Sequence, residues 1–272
     1  MSKRKFFAAP YLIWILGFTI LPLAMILWYA LTDGSGGFTL ANLLAIFEPI
    51  HRKALLTSLG LAAVSTGICL ALAFPLALVL RNLHFNKKGF IALIVILPMW
   101  MNFVLRVLAW QMILSKNGIL NMILGWFGIQ PLSILNTPAA VLIGMVYDYL
   151  PFMILPIYNA VSSIKEDVLE AARDLGAGSG VVRRRIILPM SMPGILSGIT
   201  MVFVPSLTEF VVPNILGGGK VLLIGNAIEQ EFVQSMNWNL GSGLSVALMV
   251  FILISMLFTM KNDTEDGGSL VW

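Results

Sequence analysis

Arg106, Asp148 and Glu209 are ionisable side chains set inside long apolar runs of this 272-residue sequence. An ionised group at the centre of a bilayer costs about 2.5 to 3.5 kcal/mol on insertion scales, so such residues face a cavity or one another. Asn102, Arg106 and Trp110 recur every four residues and share one face of a helix. A polar stripe edged by an aromatic reads as a cavity wall. The alternative is a structural ion pair, Arg106 with Asp148 or with Glu209, that only fixes helix packing.

A second constellation is hydrophilic. Glu170 to Pro189 reads EAARDLGAGSGVVRRRIILP, an island in a chain that is 58% hydrophobic. It fits the pattern E-A-A, three residues, G, nine residues, I-x-L-P at Glu170, Ala171, Ala172, Gly176, Ile186, Leu188 and Pro189. Ser163 with Glu166 predicts a capping box that starts a helix at about Ile164, and Gly176 suits the left-handed residue that ends one. Ile164, Val168, Ala171 or Ala172, and Leu175 would form a single apolar stripe. A short helix with one such stripe needs a partner. The two alanines let another backbone approach closely, and Glu170 can offer a carboxylate to a partner arginine. The plainer reading is a solvated loop helix.

Enzyme signatures fail. Gly217 to Lys220 reads GGGK, but a phosphate-binding loop needs glycine where Asn214 stands and Ser or Thr where Val221 stands. The chain is therefore expected to bind no ATP. Gly176, Gly178 and Gly180 lack the third glycine of a dinucleotide fingerprint, whose place Val181 takes. His51 and His84 stand apart from other ligand residues, so neither a metal nor a cofactor is expected. No Ser/His/Asp set is visible, and basic residues scattered at the borders of apolar runs give no stripe for nucleic acid.

What must position these residues is a set of membrane helices. Mean hydropathy is +0.92, and 11% charged residues is well under the roughly 25% usual for a soluble domain. About 20 apolar residues of helix cross a bilayer core. Spans are predicted at Pro10 to Leu31, Thr57 to Leu80, Gly89 to Leu114, Pro138 to Ala160, Met192 to Val212 and Gly241 to Met260: an all-α, six-helix membrane protein of one domain. The first is read as a retained helix, because no small-residue cleavage site follows it. Residues 118–135, interrupted by Asn121, Gly125 and Pro131, are read as an external interfacial or re-entrant segment, and Phe38 to Ile50 as an amphipathic surface helix. Cys69 has no second cysteine with which to form a disulfide. With a cytoplasmic N-terminus, twelve of the 17 Lys and Arg fall on inside segments and four outside. This is the bias of the positive-inside rule, and it puts the island and both termini in the cytoplasm. Pro75, Pro98, Pro156 and Pro205 would kink spans, and Gly194 with Gly198 forms a G-x-x-x-G pair for close helix contact.

The island resembles the cytoplasmic EAA loop of permease subunits of ATP-binding-cassette importers. LPMWMNFVLRVLAWQMIL (97–114), IGMVYDYLPFMILPIYNAV (143–161) and PSLTEFVVPNILGGGKVLLIGNAIEQEF (205–232) are similar to the spermidine/putrescine permeases of that class, and the likeness runs from about Pro10 to Met260. Permeases for iron, thiamine, phosphonates or opines share much of the framework. The resemblance implies a MetI-like helical fold in a bacterial inner membrane and a loop, about 161–190, that docks an ATPase. It also implies three partners: a second permease subunit, an ATPase dimer and an extracytoplasmic substrate-binding protein. A polyamine cation would meet Asp148 and Glu209, with Arg106 as their counter-ion. A secondary transporter working without an ATPase is the competing class, and the island argues against it.

The orientation is testable by labelling. With Cys69 replaced, a cysteine at Ser179 should stay unreactive to an impermeant thiol reagent outside intact cells, and one at Lys116 should react. Labelling at 179 would refute the orientation.

Overall fold

A computed structural model describes Tyr11, residues 13–82 and residues 97–266, with backbone alone for Pro98 and for 257–266. The principal helices are α1 (Ile13–Ala30), α2 (Pro49–Asn82), α3 (Phe103–Leu114), α4 (Ile119–Trp126) and α5 (Pro138–Ser163). They continue as α6 (Glu166–Asp174), α7 (Ser179–Met190), α8 (Met192–Leu207), α9 (Val211–Leu216), α10 (Ile224–Val233) and α11 (Trp238–Asp266). Among the described residues there is no strand, and an isolated bridge joins Thr32 to Phe38. Among the described residues, five helical runs are long and apolar enough to cross a membrane, and a sixth is counted where the bent pair α7–α8 is taken as one span.

The centre is α2, α5 and α8, each packed on the other two. Helices in lipid gain no hydrophobic drive toward one another, so close approach depends on small side chains. On α2 the buried row is Ala54, Ser58, Ala62, Ser65, Cys69, Ala73 and Ala77, spaced by three and four. On α8 the glycine pair does the same work. A Cβ on Gly194 would lie 2.4 Å from the Ala160 Cβ and 2.6 Å from the Pro156 carbonyl oxygen, and one on Gly198 would lie 2.8 Å from the Met153 sulfur. The two helices therefore cross backbone to backbone. Around this centre α11 packs on α1 and α10, and α9 sits against α3 and α5.

Two helices carry a π turn, Leu16–Ile20 in α1 and Arg183–Ile187 in α7, and each turn runs directly into a Leu-Pro pair. A proline lacks the N–H for the i→i−4 ladder and its ring crowds the preceding turn, which a widened turn relieves. Pro75, Pro151, Pro156 and Pro205 lie inside helices. Outside the spans, Asp33 accepts from the Ser35 hydroxyl and from the amides of Ser35 and Gly37. The hydroxyl bond first, and the Gly37 amide second, hold its carboxyl below the usual range.

Several boundaries differ from expectation. The second span begins at Pro49, because His51 and Ala54 turn inward and extend the helix. By length and composition the apolar helical run at the third span is Phe103–Trp126, which joins α4 to α3. Gly118 permits this join: a Cβ there would lie 2.3 Å from the Met112 carbonyl oxygen. Residues 89–96 lie outside the described set. The fifth span stops at Leu207, where Thr208–Phe210 form a break capped by Glu209. The expected surface helix is a short turn, Ala41–Leu44 with a 3-10 turn Ala45–Phe47, because Ala45 and Ile46 are drawn into the core beside Leu244.

Gly194→Leu should prevent the α5–α8 crossing, since the clash is with backbone and cannot be relieved by a rotamer. A loss of at least about 2 kcal/mol is expected, read as a lower unfolding temperature in detergent. Gly198→Ala should be milder, because the Met153 side chain can move.

Candidate functional site

The EAA island folds as a helix, a tight turn and a second helix at one end of the bundle. α6 is closed by Gly176 at φ +83°. The Gly176 amide donates to the Arg173 carbonyl at 2.8 Å and the Ala177 amide to the Ala172 carbonyl at 3.0 Å, the paired bonds of a Schellman turn. The sequence reading of this stop holds. The predicted start does not. Ser163 is the last residue of α5 and its hydroxyl donates back to the Ala160 carbonyl at 2.7 Å, so no capping box forms and α6 begins at Glu166 behind Lys165. Ile164 is instead a buried, extended link between the helices.

The predicted stripe is also turned. Leu169, 3% exposed, is the residue α6 buries, with Ala172 beside it against Leu80, Ile164, Val182 and Ile187. Val168, Ala171 and Leu175 point away, and Leu175 is 90% exposed. The i, i+3, i+4 spacing allowed either face; packing beneath α2 selected the one through Leu169. Glu170 and Gly176 are exposed with the outward row, Ile186 and Leu188 are half-buried, and Pro189 is exposed in the last turn of α7. At Ser191 the chain bends by 64° into α8.

Arg81, at the end of α2, holds this loop in place. Its guanidinium donates to the Ile164 carbonyl at 2.8 Å and to Glu166 Oε2 at 3.2 Å. Arg173 reaches the other oxygen of Glu166 at 3.3 Å. The sequence reading counted Arg81 only as a cytoplasmic charge; its place directly after the predicted second span, Thr57 to Leu80, was the available signal.

The second constellation lies inside the bundle. Asp148 is 2% exposed on α5 and its Oδ1 lies 3.4 Å from Arg106 Nη2. The Arg106 guanidinium also sits 5.8 Å from the centre of the Phe103 ring. Next along α5, the Tyr149 hydroxyl donates to Glu209 Oε2. The other Glu209 oxygen accepts from the amides of Phe210, Val211 and Val212 at 3.0, 2.8 and 3.2 Å, capping α9. Asn226 extends the network to the Phe210 carbonyl and to Asn214, and Ser58 on α2 accepts from the Ile224 amide at 2.8 Å. Asn102 caps α3 by accepting from the Leu105 amide, and Trp110 packs edge-on to Tyr147 at 5.3 Å. Thus Asn102, Arg106 and Trp110 have separate structural partners. Tyr149, Ser58 and Asn226 were missed, because hydroxyls and amides in apolar runs carry no charge signal.

The family model described as "Binding-protein-dependent transport system inner membrane component" matches residues 2–261. A spermidine/putrescine transport system permease protein of Haemophilus influenzae is 39% identical over 249 residues, 89% of this chain and 87% of that protein. Its namesake in Escherichia coli is 36% identical over 252 residues, 90% and 92% of the two chains. A crystal structure of a bacterial alginate ABC transporter, in complex with an alginate-bound periplasmic protein, superposes with a TM-score of 0.79 over 95% of this chain and 93% of that one at 18% identity, a likeness of fold.

Asp148→Asn should cost about 3 kcal/mol by leaving Arg106 buried beside a neutral group, read by thermal unfolding in detergent. Pairing it with Arg106→Met should recover most of that loss. A double variant no more stable than the single one would show that the two charges are not coupled.

Proposed function

Because the chain belongs to the family of binding-protein-dependent transport system inner membrane components, we propose that it is the permease subunit of an ATP-binding-cassette importer carrying a polyamine, spermidine or putrescine, inward. It is a multi-pass membrane protein and a non-catalytic subunit; on this reading ATP hydrolysis belongs to a partner. Identities of 39% and 36% to two spermidine/putrescine permeases, each over most of both chains, support the substrate class.

The observation that carries the coupling is the outward face of α6. Val168, Ala171 and Leu175 stand exposed, with Glu170 exposed on the flank of the same helix, which is stopped by a left-handed glycine and anchored from behind by Leu169 and Arg81. An exposed apolar row flanked by an exposed carboxylate is a docking surface for a protein with an apolar cleft and an arginine. The occupant is a cytoplasmic ATPase, one of a pair. Ile186, Leu188 and Pro189 lie in the second helix of the loop and carry the motion on to α8. The full chain forms one permease domain with both termini in the cytoplasm of a bacterial inner membrane. It pairs with a second permease and receives substrate from an extracytoplasmic binding protein.

The pathway is assigned to the face near Arg106, Asp148 and Glu209, with Asn102 and Trp110 at its wall. There the carboxylates lower the potential seen by a passing cation without gripping it, since each is already held by a protein partner. A second reading, another small solute such as a sulfate-like anion, is favoured by a 29% match over 188 residues to a probable sulfate permease. Uptake of radiolabelled putrescine, spermidine and sulfate by the reconstituted transporter separates the two.

Glu170→Lys, Leu175→Glu and Gly176→Val should each lower polyamine uptake about tenfold or more, by reversing a contact charge, charging the apolar face, or forbidding positive φ. Insertion and the affinity of the substrate-binding protein should be unchanged, and less ATPase should co-purify. Normal uptake in all three would overturn the docking assignment.

A further inference from the structure

A cavity of about 370 Å³ lies behind α6, between the end of α2 and the start of α7. Three arginines line it, Arg81, Arg173 and Arg183, with Ser179 at its edge. Asp167, Glu170 and Asp174 are exposed on α6, and none of them lines it. Arg81 is the informative one. Its side chain is 9% exposed, Nη2 is spent on Ile164 and Glu166, and Nη1 is buried without a hydrogen-bond partner. A guanidinium N–H buried and unsatisfied is costly, and an anion is the group that relieves it.

The opposite wall is apolar. Pro75, Leu78 and Val79 come from the last turns of a membrane span. Leu72, Pro75 and Val79 form an exposed row at i, i+3 and i+7 that runs from the cavity along α2 toward the bilayer centre. A soluble anion would make no use of that row. An amphiphile would: its headgroup phosphate fits among the arginines while its acyl chains follow α2. We propose that this cavity is a binding site for an anionic phospholipid of the cytoplasmic leaflet. Basic pockets at the membrane border take such headgroups.

The lipid sits on the coupling helix from behind. Leu169 and Arg173 face the cavity, and the outward row Val168, Ala171 and Leu175 lies about 150° away round α6 at 3.6 residues per turn. A bound headgroup therefore braces α6 against α2 without touching the docking face. The site needs only a membrane around α2 and is independent of which solute is carried.

Native mass spectrometry of the assembled transporter, ATPase included, tests this with phosphatidylglycerol and phosphatidylcholine offered in equal amounts. Phosphatidylglycerol should be retained at least about tenfold in excess. Arg183→Gln should cut that preference about fivefold, the effect of one basic charge at a membrane surface. Because the Arg183 guanidinium donates to the Ser179 carbonyl within its own helix, this variant leaves the Arg81 clamp intact. Arg81→Gln should act more strongly. Equal retention of the two lipids, or an unchanged preference in Arg183→Gln, would overturn the proposal. Displacement of the lipid by millimolar inorganic phosphate would also overturn it, reassigning the cavity to a soluble anion. So would a transporter that keeps the lipid only when stripped of its ATPase, because the cavity would then belong to that subunit.

Discussion

Within a bilayer, helix backbones meet only where side chains are small enough to let them, and in this chain everything else hangs on one such meeting. The contact of Gly194 and Gly198 with Pro156, Ala160 and Met153 fixes the angle between α5 and α8. The small row on α2 then closes the third side. With this frame set, α5 ends where Arg81 can reach the Ile164 carbonyl, which determines where α6 starts and which of its faces is buried. A larger residue at the crossing would move the loop as well as the core, because the two are joined through only two extended residues, Ile164 and Lys165.

The buried polar groups complete that frame. Once α8 stops at Leu207, the first amides of α9 have no water to turn to, and Glu209 supplies one oxygen to three of them. Its other oxygen takes the Tyr149 hydroxyl, and Asp148, the neighbour of Tyr149, faces Arg106. The buried groups thus form a set anchored on neighbouring residues of α5: Asp148 pairs with Arg106 on α3, and Tyr149 leads through Glu209 to α9 and Asn226 on α10. Such a set fixes short helices in the membrane where packing alone would leave their ends unsatisfied.

The class of the protein and the existence of its spans were legible because apolar runs and the EAA spacing are local signals. The stop at Gly176 was legible for the same reason, since only its own backbone conformation decides it. The start of α6 was not. Ser163 and Glu166 match a capping box, yet Ser163 was already committed to α5, a competition that local pattern cannot settle. The buried face of α6 failed similarly: Val168 and Leu169 are adjacent and both apolar, and the choice was made by Val182 in the next helix and by Leu80, far away in sequence. Arg106 and Asp148 were read as a possible pair from charge alone. Asn226 and Tyr149 were invisible because neutral hydrogen-bonding groups in lipid leave no mark on hydropathy.

The elbow at Ser191 has a mechanical meaning. At 64° between α7 and α8, about nine-tenths of a rigid displacement along α7 resolves perpendicular to the axis of α8, by the sine of the angle. Force arriving at the loop would thus swing that span sideways far more than it would slide it lengthwise. A lengthwise slide would drag the glycine crossing out of register with α5. A swing can use that crossing as its fulcrum, since Gly194 and Gly198 lie in the first half of α8, near the elbow. Small movement at the loop would then become larger movement at the far end of the span, where Leu207 gives way to the capped break.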